Sequence, residues 1–122
     1  MKDNLKVSVA YIAGSIINKK KYLSLIDQSR KIAIKMNGKF DLGNIDVNIV
    51  DDGSKLLGMM NGNNLSFFHS IENVTISLKL DGVRFQGHDS GMDKDFTGSV
   101  NGKTVMIYDS SDCRNFYYEL CD

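Results

Sequence analysis

Alternation dominates the chain. Apolar residues take every second position in short runs: NLSFF at 64–68, ISLKL at 76–80, TVMIY at 104–108 and FYYEL at 116–120. A period of two marks strands with one buried and one solvated face. Between the runs stand Asn61-Gly62, Asp81-Gly82 and Asn101-Gly102, at a period of 20 residues, with Asn37-Gly38 lying 24 residues before the first. Flanked in this way, such pairs predict hairpins, with φ > 0 at both central positions of a type I′ turn.

The runs are copies of one another. Residues 96–110 (FTGSVNGKTVMIYDS) align with 56–70 (LLGMMNGNNLSFFHS) at an offset of 40, and 76–90 (ISLKLDGVRFQGHDS) falls between them at 20. IAIKMNG at 32–38 begins a further unit, which carries an insertion around Asp41–Asn44 before VNIVDD at 47–52. An N-terminal unit reads IAGSIIN at 12–18 and YLSLIDQ at 22–28, with residues 18–21 replacing the Asn-Gly turn. Val9, Ile12, Ile16 and Leu23 also fit a helical spacing, but Gly14 and the alternation Ile12, Gly14, Ile16 favour a strand over about Val7–Ile16. The expectation is an all-β domain over residues 1–122: an antiparallel up-and-down meander of 10–11 short strands, made of five hairpins and a final strand.

Alternation also assigns the faces. One takes Leu23, Leu25, Ile32, Ile34, Met36, Val47, Ile49, Leu65, Phe67, Ile76, Leu78, Leu80, Val105, Ile107, Phe116, Tyr118 and Leu120. The other carries Ser24, Lys35, Asn48, Ser66, Lys79, Gln86, Ser99 and Glu119. A meander with one apolar side buries it by curling on itself, and Gly14, Gly58, Gly87 and Gly98 are mid-strand positions where sharp coiling is cheap. A barrel or barrel-like folded sheet follows, with strand one closing on strand eleven.

Composition narrows the function. Fifteen basic and fifteen acidic residues cancel, and a nucleic-acid binder needs a basic face, so no nucleic-acid partner is expected. The apolar stretch Val7–Ile17 falls short of the ~20 residues a spanning helix needs and lacks the layout of a signal peptide, so no membrane partner is expected. Cys113 and Cys121 read as free thiols on one strand, in keeping with a cytoplasmic protein. Frequent Lys, Asn and Ile suggest an AT-rich bacterial or phage genome. No cofactor motif and no metal-type Cys/His spacing occurs, and Lys19–Lys21 reads as a solvated turn.

Candidate chemistry gathers at strand ends. Asp27, Asp51, His69, Asp89 and Asp109 are read as one rim, members ~9.5 Å apart, too far for one ion to bridge. Arg30-Lys31, Lys55, Asn73, Lys94 and Arg114 open the intervening strands, so acid and base alternate and cross-strand pairing explains the pattern. His69 and His88, with Glu72 and Asp89 near them, could supply a general base, but they face opposite sides and no nucleophile converges on them. The outer positions just before the rim are Ile26, Val50, Phe68, His88 and Tyr108, with Tyr117 as an extension. This stripe is the expected partner-binding surface.

The phrase FTGSVNGK at 96–103 resembles part of a MORN repeat, a hairpin repeat of alternating aromatics and glycines. The strand count and length are similar to small up-and-down lipid-binding barrels, whose helical lid has no counterpart here. The reading is a non-enzymatic interaction module that contacts a protein partner, or a copy of itself, through the rim and stripe, as an accessory or inhibitor protein. A small-molecule carrier with its ligand inside the barrel is the alternative, and a hydrolase using His69 or His88 the third reading.

Overall fold

The computed structural model describes all 122 residues. One helix, α1 (Asp3–Asn18), precedes ten strands: β1 (Ser24–Asp27), β2 (Ile32–Asp41), β3 (Asn44–Ile49), β4 (Ser54–Asn61), β5 (Asn64–His69), β6 (Val74–Asp81), β7 (Arg84–Asp89), β8 (Lys94–Asn101), β9 (Thr104–Asp109) and β10 (Arg114–Cys121). Each pairs antiparallel with its sequence neighbours, and β1 pairs with β10 to close the barrel. The meander and its closure are as the alternation predicts. The segment Val7–Ile16 is not: it is helix, and the closing strand is β1.

The reason lies in where α1 sits. Every residue from Leu5 to Ser15 is buried, which a helix on a surface cannot achieve. Gly14 packs on Leu120 and Val105, Tyr11 on Gly38 and Phe40, and Asn4 reaches Glu72 across the barrel. The helix therefore runs through the lumen, and its ~24 Å length suits that role. Ten strands enclose more space than inward side chains fill, and α1 takes up the remainder. A helix buried all round has no polar face, so its sequence lacks the amphipathic stripe that identifies a helix. It ends at Lys19, a left-handed residue (φ 51°) whose amide, with that of Lys20, caps the carbonyls of Ile16 and Ser15. No helix is long and apolar enough to cross a membrane.

The barrel wall uses two kinds of turn. Gly62, Gly82 and Gly102 have φ of 59–63°, while Asn63, Val83 and Lys103 after them do not have positive φ. These are Gly-first type II′ turns rather than type I′, and the Asn or Asp before each glycine is the last residue of its strand. The single turn with both central φ positive is Leu42-Gly43. Asn37-Gly38 lies inside β2 and turns nothing.

Inward positions carry the core, 29 buried apolar residues in one cluster with α1. Two assigned to it are exposed, Leu23 and Ile32: one precedes β1 and the other starts β2. At Gly58 and Gly98 the wall coils sharply. Each faces a phenylalanine directly across the ladder, Phe67 and Phe85, and a Cβ at either glycine would overlap that ring's residue and a backbone carbonyl. Phenyl rings laid over glycines restore the missing packing area.

Strand β2 switches partners midway. Ile32–Lys35 pair with β1, and Met36–Asp41 pair with β3. Alternating backbone groups point to alternate sides. Met36 N–H donates to Leu23 O on the β1 side and Lys35 O accepts from Val50 N–H on the β3 side. Gly38 and Phe40 therefore face the β1 side, where β1 no longer runs. Tyr11 fills this seam from inside: its hydroxyl donates to Tyr22 O and faces the Gly38 amide, replacing a missing rung of the ladder.

Candidate functional site

The predicted rim splits in two when the side chains are placed. Asp27, His69, Asp89 and Asp109 are buried and face the lumen; they are not a contact surface. Their job is local. Asp27 Oδ1 accepts from the Ser29 and Arg30 amides, Asp89 Oδ1 from those of Gly91 and Met92, and Asp109 Oδ1 from that of Ser111. Each acid holds a turn that ends four residues on in a left-handed residue: Lys31, Asp93 and Cys113, with φ of 52–55°. His69 does the same with Nδ1, which accepts the Glu72 amide at 3.1 Å, and Asn73 is its left-handed residue. Asp51 does not belong to this set. The position in register is Ile49, with Gly53 four residues on, and Asp51 lies exposed in the turn.

Acid–base alternation accounts for one of the expected pairs, Asp27–Arg30 at 2.7 Å. Lys94 and Arg114 stand opposite Asp89 and Asp109 in register yet form no ion pair; the Arg114 guanidinium lies instead over the Phe116 ring, 4.5 Å from its centre. The ionic partners of Asp109 come from the N-terminus and α1. Its Oδ2 accepts from the Met1 ammonium at 2.8 Å, and Lys6 Nζ lies 3.8 Å away. Lys6 is buried with its ammonium 3.3 Å from the centre of the Phe116 ring, a desolvated cation–π contact.

Burial pushes the Asp27 and Asp109 carboxyls up, but their ligands outweigh it and hold both below the usual carboxylate range. For His69 burial dominates and lowers the imidazole below 6.5, against the pull of Asp52 and Glu72. All three bind protons more readily unfolded than folded, so stability falls with acid. The His69 contribution is complete above 6.5 and lost as pH falls through its folded value; those of the aspartates are lost below 3.8. His88 has the opposite sign: its bond to Asp95 raises it, so its contribution is present below 6.5 and lost as pH rises through its folded value. We expect urea midpoints to fall from pH 7 to pH 5, and His69→Gln to flatten that fall. An unchanged slope in His69→Gln would assign the acid sensitivity elsewhere.

His88 lies on the outer face between two acids, Nδ1 2.7 Å from Asp95 and Nε2 3.0 Å from Asp93. Register aligns Ser77, His88 and Asp95 on neighbouring strands, along a shallow trough of about 880 Å³. The geometry stops short of a nucleophile–base pair. Nε2, the nitrogen that would receive a serine proton, is engaged by Asp93, and the amides of the ladder are used in pairing, leaving no oxyanion donors. His69 is buried with Nε2 unpartnered, away from any open cleft. No group of three or more His, Cys, Asp and Glu is placed to hold a metal ion.

The outer stripe is exposed at Ile26, Val50, Phe68 and Tyr108, so loops do not cover it. It is not one ring. Thr75 and Ser77 separate Phe68 from His88, and Asp95 and Thr97 separate His88 from Tyr108. Barrel closure produces a different grouping. Tyr108 stands opposite Asn115, two residues from Tyr117; Tyr117 O accepts from Gln28 N, two residues from Ile26; and Ile26 pairs with Ala33. Val50 joins through its amide bond to Lys35 O. Tyr108, Tyr117, Ile26, Ala33 and Val50 form a diagonal band on β9, β10, β1, β2 and the end of β3, all exposed, spanning ~19 Å. Phe68 belongs to a second, smaller patch with Leu57 directly opposite and Met59 beyond. Ala33 carries no sequence signal of its own: its place in the band follows from the register of the β1–β2 hairpin, which sets it opposite Ile26.

A ligand inside the barrel would have to displace α1, whose side chains and the 29-residue cluster fill the lumen. The helix also differs from the lid of the lipid-binding barrels, since it lies within the wall and not over its mouth. No protein-family model, curated protein or solved structure matches this chain, so its barrel and exposed band stand on the geometry alone.

Proposed function

We propose that the chain is a protein-binding module that docks a partner on the Tyr108–Tyr117–Ile26–Ala33–Val50 band. The observation that carries this reading is the sequence of the band around the barrel: five neighbouring strands each present an apolar or aromatic side chain outward, each opposite or diagonal to the next across the ladder. The two tyrosines at its β9–β10 end suit an interface anchor, being large, rigid and amphipathic. Arg30, Lys35, Gln28 and Glu119 around it supply a rim of both signs. The partner is a protein with an apolar surface of its own, and the module's role toward it is accessory or inhibitory. The free thiols Cys113 and Cys121 fit a reducing, cytoplasmic setting.

Ile26→Asp/Tyr117→Asp tests the reading, with Leu57→Asp/Met59→Asp on the second patch as control. We expect affinity capture from the native host to retain a specific protein on wild type and the control, and to lose it on the band variant. Sedimentation of the purified chain separates self-association from a foreign partner. Identical capture by the band variant and wild type would end the proposal.

A further inference from the structure

At the opposite end of the barrel from the buried aspartates, the seam between β1 and β2 opens into a pocket of about 610 Å³, within the ~300–1,000 Å³ usual for small-ligand sites. It is built from groups that lack partners. Ser15 Oγ is buried and makes no hydrogen bond, although the Tyr11 hydroxyl is its neighbour. The Phe40 amide and carbonyl point to this side of β2 and have no strand to pair with. Lys19, Lys21 and Lys39 line the pocket and form no ion pair, whereas Lys20 is taken by Asp122 at 2.7 Å. Half-buried Ile16, Phe40 and Met60 supply its apolar surface. Asp41 is the single acid on the wall.

Three free cations against one acid select an anion. The unsatisfied hydroxyl and amide are donors that a carboxylate accepts from, and the apolar wall beside them takes a hydrocarbon tail. We infer that this pocket binds a small amphipathic carboxylate, with its head among Lys19, Lys21, Lys39, Ser15 and the Phe40 amide and its tail against Ile16, Phe40 and Met60. The site is distinct from the protein-binding band, which lies at the other end, so the two readings stand or fall separately. The lysine run is then more than a solvated turn: it places cations at the one opening where the wall lacks a rung.

Octanoate, 1-octanol and inorganic phosphate are titrated into the full chain and followed by amide and methyl chemical shifts. Octanoate is expected to saturate, with shifts centred on Ser15, Ile16, Gly38, Phe40 and Met60. The alcohol, with the tail alone, and phosphate, with charge alone, are each expected to bind at least tenfold more weakly. Lys19→Glu/Lys21→Glu/Lys39→Glu should weaken octanoate binding at least tenfold while keeping the wild-type unfolding midpoint, since Lys19, Lys21 and Lys39 are exposed and unpaired. Absence of saturable octanoate shifts at these residues overturns the proposal. So does equal binding by the triple variant, by octanol or by phosphate.

Discussion

Val9→Asp and Ala10→Asp are each expected to abolish the cooperative fold at neutral pH. Both positions are fully buried in α1, and a carboxylate at either would meet the apolar barrel wall, while the buried cation one turn away, Lys6, is already engaged by Asp109, Asp112 and the Phe116 ring. An unpaired buried charge costs about 3–5 kcal/mol, a large share of the roughly 5–15 kcal/mol that holds a domain together. The pair also discriminates between architectures. In a wall strand, neighbours 9 and 10 would face opposite sides, and one aspartate would be tolerated in solvent. In a luminal helix neither is. Circular dichroism and urea titration report the result, with Val83→Asp at an exposed turn as a control expected within about 0.5 kcal/mol of wild type. Wild-type stability in either helix variant would remove α1 from the lumen.

Gly58→Ala is expected to cost about 3 kcal/mol or more, for a reason unrelated to φ. A Cβ there overlaps the Ser66 carbonyl oxygen and Phe67 Cα, both in the backbone of β5, and relief requires moving the strand. Gly14→Ala makes the contrast. Its new methyl meets the tip of the Leu120 side chain and Val105, which can rotate, and alanine gains about 1 kcal/mol of helix propensity over glycine. The net cost at 14 should stay below about 1 kcal/mol. Urea midpoints that rank the two variants in the reverse order would mean the coiling of β4 on β5 does not depend on Gly58.

Much of this architecture is legible in the chain because strand chemistry is local. A period of two needs only the next residue but one to declare itself, and the 20-residue copies repeat that message from Met36 to Leu120. The faces of the hairpins, their order and the mid-strand glycines were all readable on that basis. Leu23 and Ile32, exposed despite their parity, sit at strand ends, where alternation continues but burial does not.

The rim shows the limit of positional reasoning. Asp27, Asp89 and Asp109 share a repeat position, and His69 occupies it too, so their equivalence was visible. That they point inward, each holding its own turn, depends on strand parity carried to the last rung. Asp51 falls outside the set because the unit around it is two residues out of step, and Ile49 is the member in register. The single matching ion pair, Asp27–Arg30, survives because Arg30 lies in the turn itself and not across the ladder.

Three features depended on the tertiary structure. Residues 3–18 are helical because ten strands leave a lumen that must be filled, and a segment buried on all sides carries no periodic signal that separates helix from strand. The exposed band exists because closure sets Ile26 beside Tyr117, 91 positions away in the chain, where only a completed barrel brings them. The lysine-lined pocket exists because β2 changes partners at Met36. Alternation, repeat period and turn residues are short-range properties and fixed the meander; closure, filling of the lumen and the break in the ladder are properties of the whole, decided when the tenth strand met the first.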